Sequence, residues 1–406
     1  MDKDIREKWL WPAIGIAAIA IGGVYMAASG NSWGQFGAAR QALVRGFTVT
    51  LAPQTPGVTI TQSASGGFPL TVLALQSSVD EDIALKTLAL QFDGNNLAAL
   101  QRFEIEEGDG QTSGKVVGQG VFVQATTTVT LTESVIIPRG GQKLISIREY
   151  PNLIGGSQPA NAGDTIVINY DGQGWRNTQG VGLSSGKFIV SATRKDTKAK
   201  PVRIFESLPA LAAIPVDAKP LTGENVSGTF PLHRFSITSW GPGDIAVGKL
   251  TFKLKTSGPV KVSNFKLWVF SDDSFTLPYP DTTEIKQTGK TVEVYFKPGS
   301  GIPVPPVTAR YFQLLGDVTR KRGGGKVSVT LEGDKRFSGV GTFATVDQHR
   351  ENDFIWSDNS KNQLGNLNAE DWSNGHLMEG LPATGLPALL TDEPSSPITH
   401  SLTGKT

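Results

Sequence analysis

The sequence predicts an all-β chain, two tandem antiparallel β-sandwiches preceded by one N-terminal transmembrane helix. Three observations carry this expectation. Residues 66–92 (GGFPLTVLALQSSVDEDIALKTLALQF) and 228–254 (GTFPLHRFSITSWGPGDIAVGKLTFKL) superpose without a gap at an offset of 162 residues, with nine of 27 positions identical, where composition alone gives roughly two. A period of that length reads as one module written twice. Gly (47) and Pro (24) are plentiful and only 18% of residues are charged, the profile of many short strands joined by many turns. Residues 10–28 form an almost wholly apolar run.

That run begins the element order. Residues 1–8 (MDKDIREK) read as a short cytoplasmic segment and residues 9–30 as the membrane span. Nineteen helical residues rise about 28 Å, close to the hydrocarbon thickness of a bilayer, and Trp9, Trp11 and Tyr25 stand near its ends, where interfacial aromatics belong. Lys3, Arg6 and Lys8 precede the span and only Arg40 and Arg45 follow it, at a distance; this places the N-terminus in the cytoplasm and the bulk of the chain outside, as a single-pass cell-membrane protein. The other reading is a cleaved signal peptide, for which Ala28-Ser29-Gly30 offers small residues. Acids mixed with the bases of residues 1–8, and the length of the apolar run, favour the anchor. Residues 31–46 put Trp33, Phe36, Ala39 and Leu43 at helical spacing, a juxtamembrane stretch that either lies on the membrane or links it to the first module.

From Phe47 the period changes to two. Module 1, residues 47–200, carries the alternations Leu88-Leu90-Phe92, Phe103-Ile105, Val129-Leu131 and Ile166-Ile168-Tyr170. Module 2, residues 201–346, carries Leu250-Phe252-Leu254, Phe265-Leu267-Val269, Val292-Val294-Phe296 and Val327-Val329-Leu331, with Lys249, Thr251 and Lys253 on the opposite face of the first. Turn clusters such as Asp93-Gly94-Asn95 and Ser257-Gly258-Pro259 separate the strands. In the repeated words, Phe-Pro-Leu opens a strand, where proline's missing N–H is harmless, and Asp-Ile-Ala closes a turn, its Asp capping backbone amides. Residues 347–406 form a tail rich in Asp, Asn and Trp, whose end has too few apolar residues to order itself.

Composition removes several function classes. The absence of cysteine excludes disulfides, thiolate chemistry and Cys-ligated metals. Lys plus Arg (38) balance Asp plus Glu (37), so no field favours nucleic acid. Gly182-Leu183-Ser184-Ser185-Gly186 matches the esterase elbow in spacing, but a strand pattern follows where a helix is required. Gly323-Gly324-Gly325-Lys326 lacks the spacing of a phosphate loop. Leu381-Pro382-Ala383-Thr384-Gly385 has the form of a sortase signal without the apolar span and basic tail that one needs. No cofactor and no catalytic residue is expected. Calcium is the one metal the loops suit, with Asp80, Asp82, Asp109, Asp272, Asp273 and Asp358 as candidate oxygen ligands. Trp356, Trp372 and Trp240 are the candidate stacking platforms for glycans; the competing reading of the two tail residues is packing against module 2.

The stretches DIALKTLALQF and DIAVGKLTFKL, the FKLW strand and the phrase NDFIWSDNS…EDWSNGHLMEGLP resemble secreted or membrane-tethered immunoglobulin-like surface proteins of candidate phyla radiation (Patescibacteria) bacteria. The likeness covers residues 47–385, and residues 353–382 are its most specific part. It implies an Ig-like architecture and a place in the cell envelope or a surface layer, although such proteins commonly carry more modules. The expectation is therefore a non-enzymatic membrane-anchored surface protein that associates with itself or with other envelope proteins. The alternatives are an adhesin or carbohydrate-binding protein, and a pilus or filament subunit.

Overall fold

The computed structural model describes residues 43–216, 225–280, 283–296, 301–321, 325–361 and 363–390. The expected anchor with Trp9, Trp11 and Tyr25, most of the expected juxtamembrane stretch and the last sixteen residues lie outside them. Among the described residues no helix is long and apolar enough to cross a membrane. The described residues form one compact unit.

The first half of that unit runs through β1 (Val44–Leu51), β2 (Thr59–Gln62), β3 (Phe68–Ser77), β4 (Ile83–Phe92), β5 (Leu100–Glu107), β6 (Lys115–Gly120), β7 (Thr126–Ile137), β8 (Gln142–Pro151), β9 (Thr165–Ile166), β10 (Ile168–Tyr170), β11 (Gln179–Gly182), β12 (Phe188–Ser191) and β13 (Val202–Phe205). The second runs through β14 (Leu208–Ile214), β15 (Val226–Trp240), β16 (Ile245–Ser257), β17 (Val260–Phe270), β18 (Thr283–Thr288), β19 (Thr291–Phe296), β20 (Ile302–Val304), β21 (Ala309–Arg320), β22 (Lys326–Leu331), the short helix α1 (Phe343–Asp347), β23 (Phe354–Ser357), β24 (Trp372–Asn374) and β25 (Leu386–Leu390). The described residues are thus nearly all β, as their periodicity requires.

In the first half one sheet runs β10-β4-β11-β12-β1-β3-β8-β5-β6, with β7 on β4. Strands from both ends of this path bury side chains in one core that includes Phe47, Leu73, Leu88, Phe103, Val129 and Ile147, so the sheet wraps around it. In the second half the sheet β14-β15-β21-β17 faces the sheet β18-β19-β16-β22-β25 across a core holding Phe235, Phe312 and Leu267 from one side and Leu250, Phe252 and Val294 from the other. The order β14-β15-β21-β17 repeats β1-β3-β8-β5 of the first half, which is the duplication seen as topology.

Several expectations change here. The sandwiches are not purely antiparallel: β1 pairs with β12, and β2 with β13, in parallel. The repeated proline does not merely open a strand. Pro69 and Pro231 both sit at bulges, against β8 and β21 respectively, the other place where a sheet tolerates a residue without an N–H. The boundary falls later than residue 200, because β13 hydrogen-bonds β2 and β9 of the first half and the second half starts at β14. The tail from residue 347 is no appendage, since β23 pairs with β16 and β25 with β22. For the same reason Lys249 and Thr251, on the supposed solvent face of β16, are buried. Lys249 Nζ lies 2.9 Å from Asp347 of α1 and 3.1 Å from Glu293 of β19, and this pairing keeps its ammonium well above the ordinary lysine range despite burial.

Glu149 continues the inward set Ile145, Ile147 on β8 and is fully buried. Neither carboxylate oxygen has a hydrogen-bond partner, and burial alone drives its pKa well upward. Replacing it with an apolar residue of similar volume removes an unsatisfied polar group. Glu149→Leu is expected to raise stability by about 1–3 kcal/mol in denaturant titration; a loss of stability would show that the carboxyl holds a partner it needs.

Candidate functional site

The two cores meet where β13 ends and β14 begins, and the connector is two residues, Glu206 and Ser207. Phrases from the second half converge on it. Asp358, just after β23, accepts the Glu206 backbone N–H (3.0 Å) through Oδ2 and the Ser360 N–H (3.2 Å) through Oδ1. Ser207 Oγ accepts the Gly243 N–H (2.8 Å), and Ser239 Oγ donates to the Gly243 carbonyl (2.8 Å). Asp371 accepts from Ser357 Oγ (2.7 Å) and the Lys361 N–H (3.1 Å). Further out, Lys361 Nζ reaches Asn161 Oδ1 (3.3 Å), and the Arg203 guanidinium lies 3.5 Å from the Phe337 ring centroid while donating to the Gly163 carbonyl. Asp334, buried in the second half, accepts the N–H groups of Asp353 (2.8 Å) and Gly375 (2.7 Å) and so pins the β23 and β24 segments together.

At the junction lies a cavity of about 260 Å³ lined by Glu206, Gly243, Asp244, Asp358, Asn359 and Leu364. Its electrostatics are unusual. Asp358 is fully buried, and desolvation, with the charge of Asp371 adding to it, pushes its carboxyl up to about 7. Glu206 is raised by burial and then by Asp371, and Asp371 by burial, with Lys361 opposing. Asn359 is 9% exposed; its Oδ1 accepts the Gly365 N–H (2.9 Å), but its Nδ2 has no partner. The unpartnered Asn359 amide N–H₂ can donate, and the carboxyl oxygens of Glu206 and Asp244 can accept. This combination suits hydroxyl groups.

The residues singled out by sequence are not brought together. Trp356 and Trp372 are 1% and 0% exposed, so neither presents a face for a sugar. Trp356 lies 5.0 Å from Phe205 between ring centroids and donates Nε1–H to the Asn374 carbonyl, and Trp372 packs edge-on against Phe343. Trp240, by contrast, is 59% exposed, three residues before Gly243 of the cavity wall. The six aspartates do not gather at one place. Asp80 pairs with Arg139, whose N–H Asp82 accepts (2.7 Å). Asp109 accepts the Gln111 N–H (3.0 Å). Asp272 is held far below the usual carboxylate range by Thr276, Leu277 and Ser274 donors, and Asp273 is exposed beside it. Among the described residues no group of three or more acidic or imidazole side chains is placed to hold a metal ion.

The divergent words also separate. Glu81 accepts from Ser184 N–H, Ser185 N–H and Ser185 Oγ (2.9, 2.9 and 2.7 Å), tying down the Gly182–Gly186 hairpin turn between β11 and β12, so that glycine-serine word is a capped turn. The equivalent Gly243 has no side chain, and the cavity opens there. The LPATG word is likewise part of the fold: Leu381 is buried and Gly385, at φ +83°, turns the chain into β25. Sequence reasoning missed Glu206, Asp371 and Glu149; only Glu149 carried a signal, as the third member of an inward alternation.

No family model matches the chain, and no curated protein matches it. Among solved structures it is similar to the seventh ScaB type I cohesin of Pseudobacteroides cellulosolvens (11% identity, 39% of this chain and 92% of that one, TM-score 0.23). It is similar also to the C-terminal domain of the Streptococcus agalactiae AgI/II polypeptide BspA (10%, 70% and 94%, 0.20). A third is the serine-rich repeat adhesion glycoprotein Srr1 of the same species (11%, 72% and 92%, 0.17). Scores at this level say nothing about what this chain binds.

Proposed function

We propose that this chain is a non-enzymatic structural protein of the cell surface, tethered to the membrane by residues 9–30, with its two sandwiches projecting as one stiff unit that associates with copies of itself. The observation that supports it is the use made of residues 353–382. The most distinctive phrase of the chain is spent on bolting the modules together, through Asp358 to the Glu206 N–H and Trp356 to Phe205, which is what a load-transmitting stalk needs. Its resemblance to surface proteins of the candidate phyla radiation agrees with that placement. Among the edges, β17 is guarded by Lys261, Lys266 and a bulge between Ser263 and Lys266. The word Leu386-Pro387-Ala388-Leu389-Leu390 of β25 carries no charge, so association is expected there. A second reading, a glycan-binding adhesin, has one observation in its favour: Trp240 stands exposed close in sequence to the hydroxyl-suited cavity.

The test uses the full chain in its own cells. It should pellet with membranes after a high-salt wash, be shaved from intact cells by protease, and form a repeating lattice or filament in images of the envelope. Recovery as a soluble monomer would defeat the proposal, and isolated surface copies that bind glycans through Trp240 would favour the second reading.

A further inference from the structure

Residues 171–200 hold six bases and two acids, in a chain whose net charge is +1. Both acids face backbone. Asp171 Oδ1 accepts the N–H groups of Gln173 and Gly174 (2.9 Å each), and Asp196 Oδ1 accepts that of Gly172 (2.8 Å). These bonds fix the single 3-10 turn Trp175–Asn177 beside the irregular segment after β12. On the half-buried indole of Trp175 lie two guanidiniums, Arg176 at 4.8 Å and Arg194 at 5.0 Å from the ring centroid. Both arginines are exposed, and among the described residues the indole is the partner that each has. Lys195, Lys198 and Lys200 follow Arg194, all exposed; Lys198 touches Asp93 only at 3.9 Å.

We propose that this face binds a linear polymer carrying repeated oxyanions, carboxylate or phosphate. A guanidinium already stacked on an aromatic ring has lost part of its rotamer freedom before a ligand arrives, and its outward fork matches an oxyanion with two parallel hydrogen bonds. A lone small anion needs only the pair of arginines. The further lysines, exposed along the adjoining segment free of regular structure, add positive charge beyond the pair for an extended polyanion to meet. Bases kept merely for solubility have no reason to converge on one indole. The proposal is independent of the anchor and of self-association.

Isothermal titration of the detergent-solubilised full chain with polygalacturonate, polyphosphate and neutral dextran tests it. At least one polyanion should bind and dextran should not, and the affinity should fall at least tenfold between about 50 and about 500 mM salt. Arg176→Ala with Arg194→Ala should weaken binding tenfold or more, and Arg176→Lys with Arg194→Lys, which keeps charge but loses the fork, should fall between. Which polyanion binds tells carboxylate from phosphate. Unchanged melting of the variants shows that the fold persists. Failure to bind either polymer, wild-type affinity in the double alanine variant, or binding confined to phosphatidylglycerol vesicles would each overturn the proposal.

Discussion

Acidifying the protein from pH 8 to pH 5 should raise its melting temperature, the reverse of the usual acid response. The cause is a set of carboxyls whose burial outweighs whatever positive charge lies near them. Asp358 stands at about 7 against 3.8 for an ordinary aspartate, a separation of about three units, worth at most about 4 kcal/mol. Asp353 is pushed up to about 6 by burial and by Asp334, and Glu149, Glu206 and Asp371 are raised as well. Since each folded pKa lies above its unfolded value, the cost of ionising these groups is present above the folded pKa and is relieved as pH falls through about 7 and 6 toward 4. His233 opposes them. It is buried, donates through Nε2 to the Leu386 carbonyl and has its pKa lowered by burial, so the folded state resists its protonation as pH drops below 6.5. One histidine is outweighed by five carboxyls, leaving a net rise of about 5 °C. Below pH 4 the trend turns over, because Asp272, Asp317 and Glu81 have lowered pKa values and lose their donors' support when protonated. Calorimetry across the range gives the curve. Asp358→Asn should flatten its upper limb, and a variant with the wild-type slope would remove Asp358 as the cause.

Strands and many turns were legible in the sequence because each is a local event. Alternation fixes which face of β19 or β22 is apolar, and Gly or Asp clusters fix where strands stop. The junction was not legible, because it is made by contacts distant in sequence: Glu206 with Asp358, Arg203 with Phe337, Phe205 with Trp356. The same distance misplaced the tail. Its Asp, Asn and Ser residues read as solvated loop, yet they are the partners that allow backbone without a full strand ladder to be buried, as when Asp334 accepts from Asp353 and Gly375. Lys249 fails for a related reason, since period two tells one face of a strand from the other but not which is covered from outside. Repetition itself proved informative at the level of topology, where β1-β3-β8-β5 and β14-β15-β21-β17 share even the proline bulge.

Trp372→Ala should cost about 3–5 kcal/mol, the range for deleting a buried tryptophan. The indole fills a site shaped for it. A Cβ added to Gly248 would come 2.6 Å from its ring and one on Gly301 2.7 Å, so two stretches of backbone already lie against the six-membered ring of the indole. Its Nε1 donates to the Asn366 carbonyl at 2.8 Å, and truncation leaves that acceptor with the Ala369 N–H alone. Trp356→Ala should cost as much and add a second effect. Because Trp356 packs against Phe205, the residue before the connector, with the rings tilted by 50°, its loss loosens the junction, and limited proteolysis should then cut near Glu206 and Ser207 while leaving Trp372→Ala intact there. Trp240→Ala, on an exposed side chain, should change stability by no more than about 0.5 kcal/mol. The three variants separate packing from recognition. If Trp356→Ala or Trp372→Ala kept wild-type melting but lost glycan binding, the buried placement would be the wrong account of the tail. If stability falls as expected and Trp240→Ala alone affects glycan binding, the tail is a clasp and recognition lies at the junction's rim.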